Sequence, residues 1–315
     1  DEQPARLVDP TTGQAVNENS LPAVKDGKTV GTYTIDPKTG TVTFQPNKDF
    51  VGTPDSIQVE VKDANGTPAK ASYTPTVTAV VPRGDNQTTT GIQGKTQSAT
   101  LVFTPGSDKV PMDDTVAATF EDGSTEKKVE GQGTYTVAKD GTVTFVPEKS
   151  FVGTADPVTI KRQDVNGTVA TATYTPIVTA VTPSGSPATS SGLQGASQTG
   201  TPSFTPGHPD VPIKIDADQP AQFVVAGKAV TETSVPATKD GQEVGTYTLD
   251  PLTGTVTFQP KKDFVGVPDP VTVQAKDANG TPATATYTPS VTGVTPSGNQ
   301  VESYGLKGQI QTGKP

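Results

Sequence analysis

Three copies of one short motif carry most of the polar chemistry in this chain. They are Asp63-Ala64-Asn65-Gly66-Thr67, Asp164-Val165-Asn166-Gly167-Thr168 and Asp277-Ala278-Asn279-Gly280-Thr281. Asp and Asn two residues apart can begin a calcium loop, but such a loop needs further oxygen ligands and a distal Glu at fixed spacing. None follows here. Each motif runs straight into an alternating segment, so a hairpin turn is the preferred reading. Asn65-Gly66-Thr67, Asn166-Gly167-Thr168 and Asn279-Gly280-Thr281 also fit the N-glycosylation pattern, yet the Asn-Gly turn accounts for them without a sugar. Thr189-Ser190-Ser191 offers hydroxyls for O-linked sugar, and ordinary linker polarity explains it equally well.

Other reactive groups are scattered. His208 is the only histidine, which excludes a His-dependent triad or a multi-histidine metal site within one chain. It lies in Pro206-Gly207-His208-Pro209 and reads as a loop residue. The acid pairs Asp113-Asp114 and Glu121-Asp122 occur only in the middle of the chain and read as solvated loop positions. An internal amide crosslink would need a buried Lys beside a buried Asn or Asp. Lys25, Lys62 and Lys276 are placed at turns or strand ends, where exposure is expected. No glycine-rich loop opens a helix, so there is no phosphate cradle. No catalytic, cofactor-binding or metal-binding residue is assigned, no cofactor is expected, and an enzyme is the least supported class.

The elements around these motifs are strands. In Gly133-Thr134-Tyr135-Thr136-Val137, Tyr135 and Val137 share one face; in Thr142-Val143-Thr144-Phe145, Val143 and Phe145 do. That is the period of two of a half-buried strand, and Asp140-Gly141 turns between the arms. The hairpin recurs as Tyr33/Phe44 and Tyr247/Phe258, so Phe44, Phe145 and Phe258 stand 101 and 113 residues apart. That interval is domain-sized. Copies one and three close the hairpin with Asp36-Pro37-Lys38-Thr39-Gly40 and Asp250-Pro251-Leu252-Thr253-Gly254; copy two has a shorter loop, giving an A-B-A order. Phe50 is expected to fold back on its core. The expected modules are 1–91, 92–192, and 193–315 with the start of a fourth unit. Copy one reads as truncated, because Gln3-Pro4-Ala5 matches Gln219-Pro220-Ala221. Residues 81–91 read as a Thr/Gly-rich connector. The segments Gly91-Ile92-Gln93-Gly94, Gly192-Leu193-Gln194-Gly195 and Gly305-Leu306-Lys307-Gly308 either open the following module or complete the preceding one.

Composition limits the alternatives. Aromatics are 5% with no Trp, so each module has a modest core. The 32 Gly and 30 Pro make up roughly a fifth of the chain, below the level of a disordered one. A net charge of −9 gives no basic face for nucleic acid. The absence of cysteine fits a bacterial surface protein that does without disulfides. No apolar run is long enough to cross a membrane, and no signal peptide or lipidation motif is found. The chain begins and ends inside the repeat unit, so it is expected to be a piece of a longer array.

Several blocks recur together. They are the Gln97–Gly106 and Gln198–Gly207 pattern Q-x-x-x-x-x-F-T-P-G, Phe120-Glu121-Asp122-Gly123 in copy two alone, the G-T-Y-T…T-V-T-F hairpin, and D-x-N-G-T…Y-T-P at 63–75, 164–176 and 277–289. In this combination the chain resembles the CshA-type fibril repeats of streptococcal surface adhesins, over essentially its whole length. The resemblance implies a secreted, wall-anchored cell-surface fibril of a Gram-positive bacterium, its anchor outside this fragment, with host binding credited mainly to a separate non-repetitive region.

The reading is therefore an all-β chain of three tandem β-sandwich modules of immunoglobulin-like size, lined up as an elongated rod. Its expected function is a structural stalk that projects a distal adhesive region for host or interbacterial attachment. The alternative is that the repeats, through variable loops or Tyr304, themselves bind host glycoprotein or carbohydrate. Partners are neighbouring repeats and, through regions outside this fragment, host matrix proteins or other bacteria. No nucleic acid or membrane contact is expected, and the isolated fragment is expected to be monomeric.

Overall fold

The computed structural model describes residues 3–315; Asp1 and Glu2, with which the first copy begins, lie outside the described residues. Every regular element among them is a strand. The chain divides into two compact units. The first takes residues up to Gly91, Lys95–Pro147 and Thr154–Val178; the second takes Ile92–Gly94, Glu148–Gly153 and Thr179–Pro315.

The second unit shows one repeat in full. One sheet runs, edge to edge, Ala188–Leu193, Pro282–Thr292, Val271–Lys276, Gln222–Val225, Lys228–Val230; the other runs Gln198–Gly200, Val256–Pro260, Gln242–Leu249, Ser234–Lys239. Their apolar faces meet in a core built around Phe223, Val273 and Tyr287 from the first sheet and Ala237, Tyr247 and Phe258 from the second. The alternation seen in sequence is the cause. Pro282–Thr292 buries Ala283, Ala285, Tyr287 and Val291 on one face, and Val256–Pro260 buries Val256 and Phe258.

The first unit holds the same frame twice. In the middle copy, Gly133–Val137 lies between Glu126–Val129 and Thr142–Pro147, while Val158–Gln163 lies between Thr119–Phe120 and Val169–Thr179. In the first copy each sheet has three strands: Ser20–Lys25, Lys28–Ile35, Val42–Pro46, and Arg6–Val8, Ile57–Lys62, Pro68–Tyr73. The match of Gln3-Pro4-Ala5 to Gln219-Pro220-Ala221 is structural as well. The amides of Ala5 and Ala221 donate to the carbonyls of Pro37 and Pro251, each at 2.9 Å.

The three central hairpins share one register. Tyr33 faces Phe44, Tyr135 faces Phe145 and Tyr247 faces Phe258 across the strands. Their ring centroids are 5.2, 4.5 and 5.2 Å apart. Phe50 does fold back, edge-on to Phe44 at 6.3 Å. Asp26-Gly27 and Asp240-Gly241 turn the neighbouring hairpins with φ of 48°, 75°, 49° and 76°. Positive φ at both central residues matches the strand twist.

Each aromatic pair leans over one glycine. Gly31, Gly133 and Gly245 face the Phe ring and the backbone of the opposite strand so closely that a Cβ would collide with both. A Gly245→Val chain should lose about 1–3 kcal/mol of stability through overpacking. Calorimetry would show it as one unfolding transition moved to lower temperature while the transition of the first unit stays in place.

Candidate functional site, the seat of the leading strand

The most elaborate side-chain chemistry in the molecule lies where each repeat receives its leading strand. In the second unit that strand, Ala188–Leu193, runs parallel to the second half of Pro282–Thr292, from Ala188 opposite Tyr287 to Leu193 opposite Thr292. The first half of Pro282–Thr292 pairs antiparallel with Val271–Lys276. The changeover falls at Tyr287. The leading segment then turns through Gly195, at φ +79°, and joins the other sheet as Gln198–Gly200, antiparallel to Val256–Pro260. One short segment thus closes both sheets.

Ser190 is the hub of the seat. Its hydroxyl lies 2.6 Å from Tyr287 Oη and donates to Gln198 Oε1 at 2.7 Å; Gln198 Nε2 donates to the Ser290 carbonyl at 2.9 Å. A hydroxyl has one proton, so with Ser190 donating to Gln198, the Tyr287 phenol donates to Ser190. The middle copy repeats the arrangement with Thr89, Tyr174 and Gln97. The hydroxyl distances are 2.7 Å to Tyr174 and 2.6 Å to Gln97, and Gln97 Nε2 reaches the Ile177 carbonyl at 3.0 Å. Gln97 and Gln198 are buried. Every polar group along the relay has a partner, which a buried network requires if it is to stabilise. Burial pushes the Tyr174 and Tyr287 phenols up, while their hydroxyl partners pull weakly the other way.

The G-x-Q-G segments now have a physical meaning. A Cβ on Gly91 or Gly192 would come within 2.7 or 2.8 Å of the Gln97 or Gln198 side chain, so the amide can cross only over glycine. Gln93 and Gln194 fix the far end of the segment. Within the second unit, Gln93 Nε2 donates to the Lys149 carbonyl and its Oε1 accepts from the Val181 amide; Gln194 does the same with Lys262 and Val294. Gln93 and Gln194 also donate their backbone N–H to the Thr179 and Thr292 carbonyls, at 2.8 Å each. These segments therefore belong to the leading strand. Of residues 81–91, expected to be a connector, 87–91 belong to strand Gln87–Ile92, which pairs with Val169–Thr179.

The first copy supplies the contrast. Among the described residues no leading strand lies on it. Pro68–Tyr73 is exposed at all six residues and ends at Tyr73, where its counterparts Val169–Thr179 and Pro282–Thr292 run on. Tyr73 is 37% exposed, against 0% for Tyr174 and Tyr287.

The three copies match the family model described as the surface adhesin CshA repetitive domain, over residues 1–77, 79–178 and 180–291. The chain belongs to the CshA repeat family. Among solved structures it is similar to the NMR structure of repeat domain 13 of the fibrillar adhesin CshA from Streptococcus gordonii, at 64% identity over 22% of this chain and 90% of that one, with a TM-score of 0.15. It also matches Drosophila N-cadherin EC1-3, at 13% identity, 89% and 91% coverage and a TM-score of 0.28, and the titin I9-I11 tandem, at 11%, 93% and 90%, and 0.31. No curated protein matches. The family is one of adhesin repeats, not of enzymes, and it places the chain on the outer surface of bacteria. No helix among the described residues is long and apolar enough to cross a membrane.

The other groups singled out in sequence do local work. Asp63, Asp164 and Asp277 each accept two backbone N–H bonds through Oδ1, from residues two and four further on, at 2.8–2.9 Å. This is the hairpin-turn geometry of the Asp-x-Asn-Gly reading. Asn279 Nδ2 donates to the Gln93 carbonyl at 2.8 Å, both in the second unit. Asp113 and Asp122 hold their own loops through Thr115 and Ser124, and Asp114 meets Arg162 at 2.7 Å. His208 Nδ1 accepts from the Asp210 amide at 3.2 Å. Lys25, Lys62 and Lys276 are exposed, and Tyr304 is 89% exposed. Among the described residues no three His, Cys, Asp or Glu side chains are grouped to hold a metal. The relay escaped the sequence reading. Its trace is a hydroxyl eight residues before a glutamine with a glycine two residues after the hydroxyl, as in Thr89-Gly91-Gln97 and Ser190-Gly192-Gln198.

Two outcomes follow from the seat. Gln198→Leu strands the Ser290 carbonyl and the Ser190 hydroxyl, and should lower stability by about 1–3 kcal/mol in urea unfolding followed by circular dichroism. Burial also raises the Tyr135 and Tyr247 phenols in the folded chain. A phenol ordinarily titrates near 10, so above about pH 10 the unfolded chain releases protons that the folded chain keeps. The stabilisation is complete below that pH and declines as pH rises through it. The urea midpoint should therefore be lower at about pH 11 than at about pH 8, with tyrosinate absorbance appearing on unfolding.

Proposed function

We propose that these repeats are the stalk of a wall-anchored fibrillar adhesin, carrying a separate adhesive region away from the cell. The observation that carries this reading is tandem repetition of one frame whose side-chain chemistry is spent on closing the frame itself. The relay of Tyr174, Thr89 and Gln97 and that of Tyr287, Ser190 and Gln198 tie a repeat's first strand to its last. The chain leaving a repeat is also short and tethered. Only residues 180–183 separate strand Val169–Thr179 from strand Ser184–Ser186; Val181 is buried with its N–H on Gln93, and Pro183 stiffens the remainder. A spacer needs such joints, whereas a flexible tether would be Gly/Ser-rich throughout.

On this reading the modules are beads on a stiff string. A strand of about ten residues is on the order of 33 Å long, so three modules should give a maximum dimension of roughly 100 Å or more in small-angle scattering. A compact distance distribution overturns the proposal. The isolated chain should also fail to bind immobilised host matrix glycoprotein or glycans. Saturable retention would move the adhesive role into the repeats themselves.

A further inference from the structure

The Asp-x-Asn-Gly turns do more than reverse the chain. Their second residue is fixed to its own repeat through its N–H: Val165 donates to the Pro111 carbonyl at 3.0 Å, and Ala278 to the Pro212 carbonyl at 2.9 Å. Its carbonyl is used by a different stretch of chain. Lys48 Nζ donates to the Val165 carbonyl at 3.2 Å within the first unit, and Lys149 Nζ donates to the Ala278 carbonyl at 3.1 Å within the second. Lys48 and Lys149 hold equivalent places, two residues after the proline that ends the central hairpin and two before Phe50 or Phe151. The same lysine therefore meets the same turn of the following repeat, 117 residues on in one case and 129 in the other.

In the second unit the contact closes into a ring. Lys149 Nζ reaches the Ala278 carbonyl, the adjoining Asn279 Nδ2 donates to the Gln93 carbonyl at 2.8 Å, and Gln93 Nε2 donates to the Lys149 carbonyl at 2.9 Å. Gly94, at φ +77°, lies directly against Asn279, and a Cβ there would collide with the asparagine amide. The connectors beside these contacts are pinned as well. Arg83–Gly84 pairs with Phe103–Thr104, and Ser184–Ser186 with Ser203–Thr205. The glycine that closes each F-T-P-G block, Gly106 or Gly207, rests on the backbone of Val81 or Thr182, where a Cβ would not fit.

We propose that the Asp-x-Asn-Gly turn of a repeat is the docking surface for the lysine loop of the repeat before it, and that this clip turns each junction from a hinge into a fixed joint. The chemistry suits a contact between like modules. The lysine ammonium sits on a flexible stem and donates to a backbone carbonyl, so Val165 and Ala278 serve equally well. The asparagine is more exacting. Only an amide can donate to the Gln93 carbonyl, and a carboxylate in its place could not. The clip deepens the stalk reading and rests on it, because it assigns the stiffness of a spacer to named groups.

The test uses the full 315-residue chain, which has no cysteine, so cysteines introduced in pairs take spin labels at chosen sites. Thr34, Thr136 and Thr248 are equivalent and exposed. Thr34→Cys with Thr136→Cys spans the first junction, and Thr136→Cys with Thr248→Cys the second. Pulsed dipolar spectroscopy should give one narrow distance distribution for each. Lys48→Met should broaden the first and leave the second unchanged, and Asn279→Asp should do the reverse, each shifting its joint towards open forms by about tenfold or less, the share of one hydrogen bond. Lys239→Met, at an exposed hairpin turn, should alter neither. A broad distribution at either junction of the chain with native Lys48 and Asn279 overturns the proposal, as does a distribution that its own substitution leaves unchanged. An elongated chain with broad junctions would end the clip while sparing the stalk; a compact chain in scattering would end the stalk.

Discussion

Everything in this fold hangs on one contact between two sheets, the edge-on meeting of two tyrosines. Tyr247 on the hairpin sheet and Tyr287 on the facing sheet stand 6.2 Å apart, and the pairs Tyr135–Tyr174 and Tyr33–Tyr73 repeat the geometry at 6.4 and 6.2 Å. Six of the seven tyrosines in the chain are used this way, two per repeat. With no Trp and few aromatics, the repeat concentrates its large side chains at one place, where each pair adds about 0.5–1.5 kcal/mol beyond the area it buries. Each tyrosine also has a polar end to satisfy. Tyr33, Tyr135 and Tyr247 donate to the carbonyls of Asp55, Asp156 and Asp269 at 2.7–2.8 Å, which ties the hairpin sheet to the loop entering the other sheet. Tyr174 and Tyr287 turn their hydroxyls outward to the leading strand instead.

That second use explains why a polar segment is structural. Gln87–Ile92 and Ala188–Leu193 contain Thr, Ser, Gly and Gln with little to bury, yet each closes a sheet. Their attachment is a backbone ladder reinforced by a hydroxyl and an amide, and the glycine between them lets the amide cross. In the first repeat Tyr33, Ile35 and Ile57 are buried and the outer strand Pro68–Tyr73 is exposed. In the other two repeats the leading strand covers the corresponding edge.

The sequence made the hairpins legible because their evidence is apolar alternation and Asp-Gly or Asn-Gly turns, both local. Tyr135 with Val137, and Val143 with Phe145, share faces as the period of two implies, and Phe50 folds back on its core as expected. The leading strands were not legible, because hydrophobic period reports burial of apolar side chains, and Thr89 and Ser190 are held by hydrogen bonds to residues about 85 and 97 positions away. Pro176 and Pro289 lie inside strands Val169–Thr179 and Pro282–Thr292. Pro289 lies beyond the antiparallel neighbour and faces only the parallel one, so its missing N–H costs the ladder little.

The parallel direction of the leading strand has a mechanical consequence. Ala188–Leu193 enters at one end of its ladder with Pro282–Thr292, and the chain leaves from the other end. Tension along the polypeptide therefore slides the two strands past each other lengthwise. The six facing residue pairs must yield together under shear, instead of unzipping one at a time as they would in a hairpin. Resistance to pulling is thus written into strand polarity.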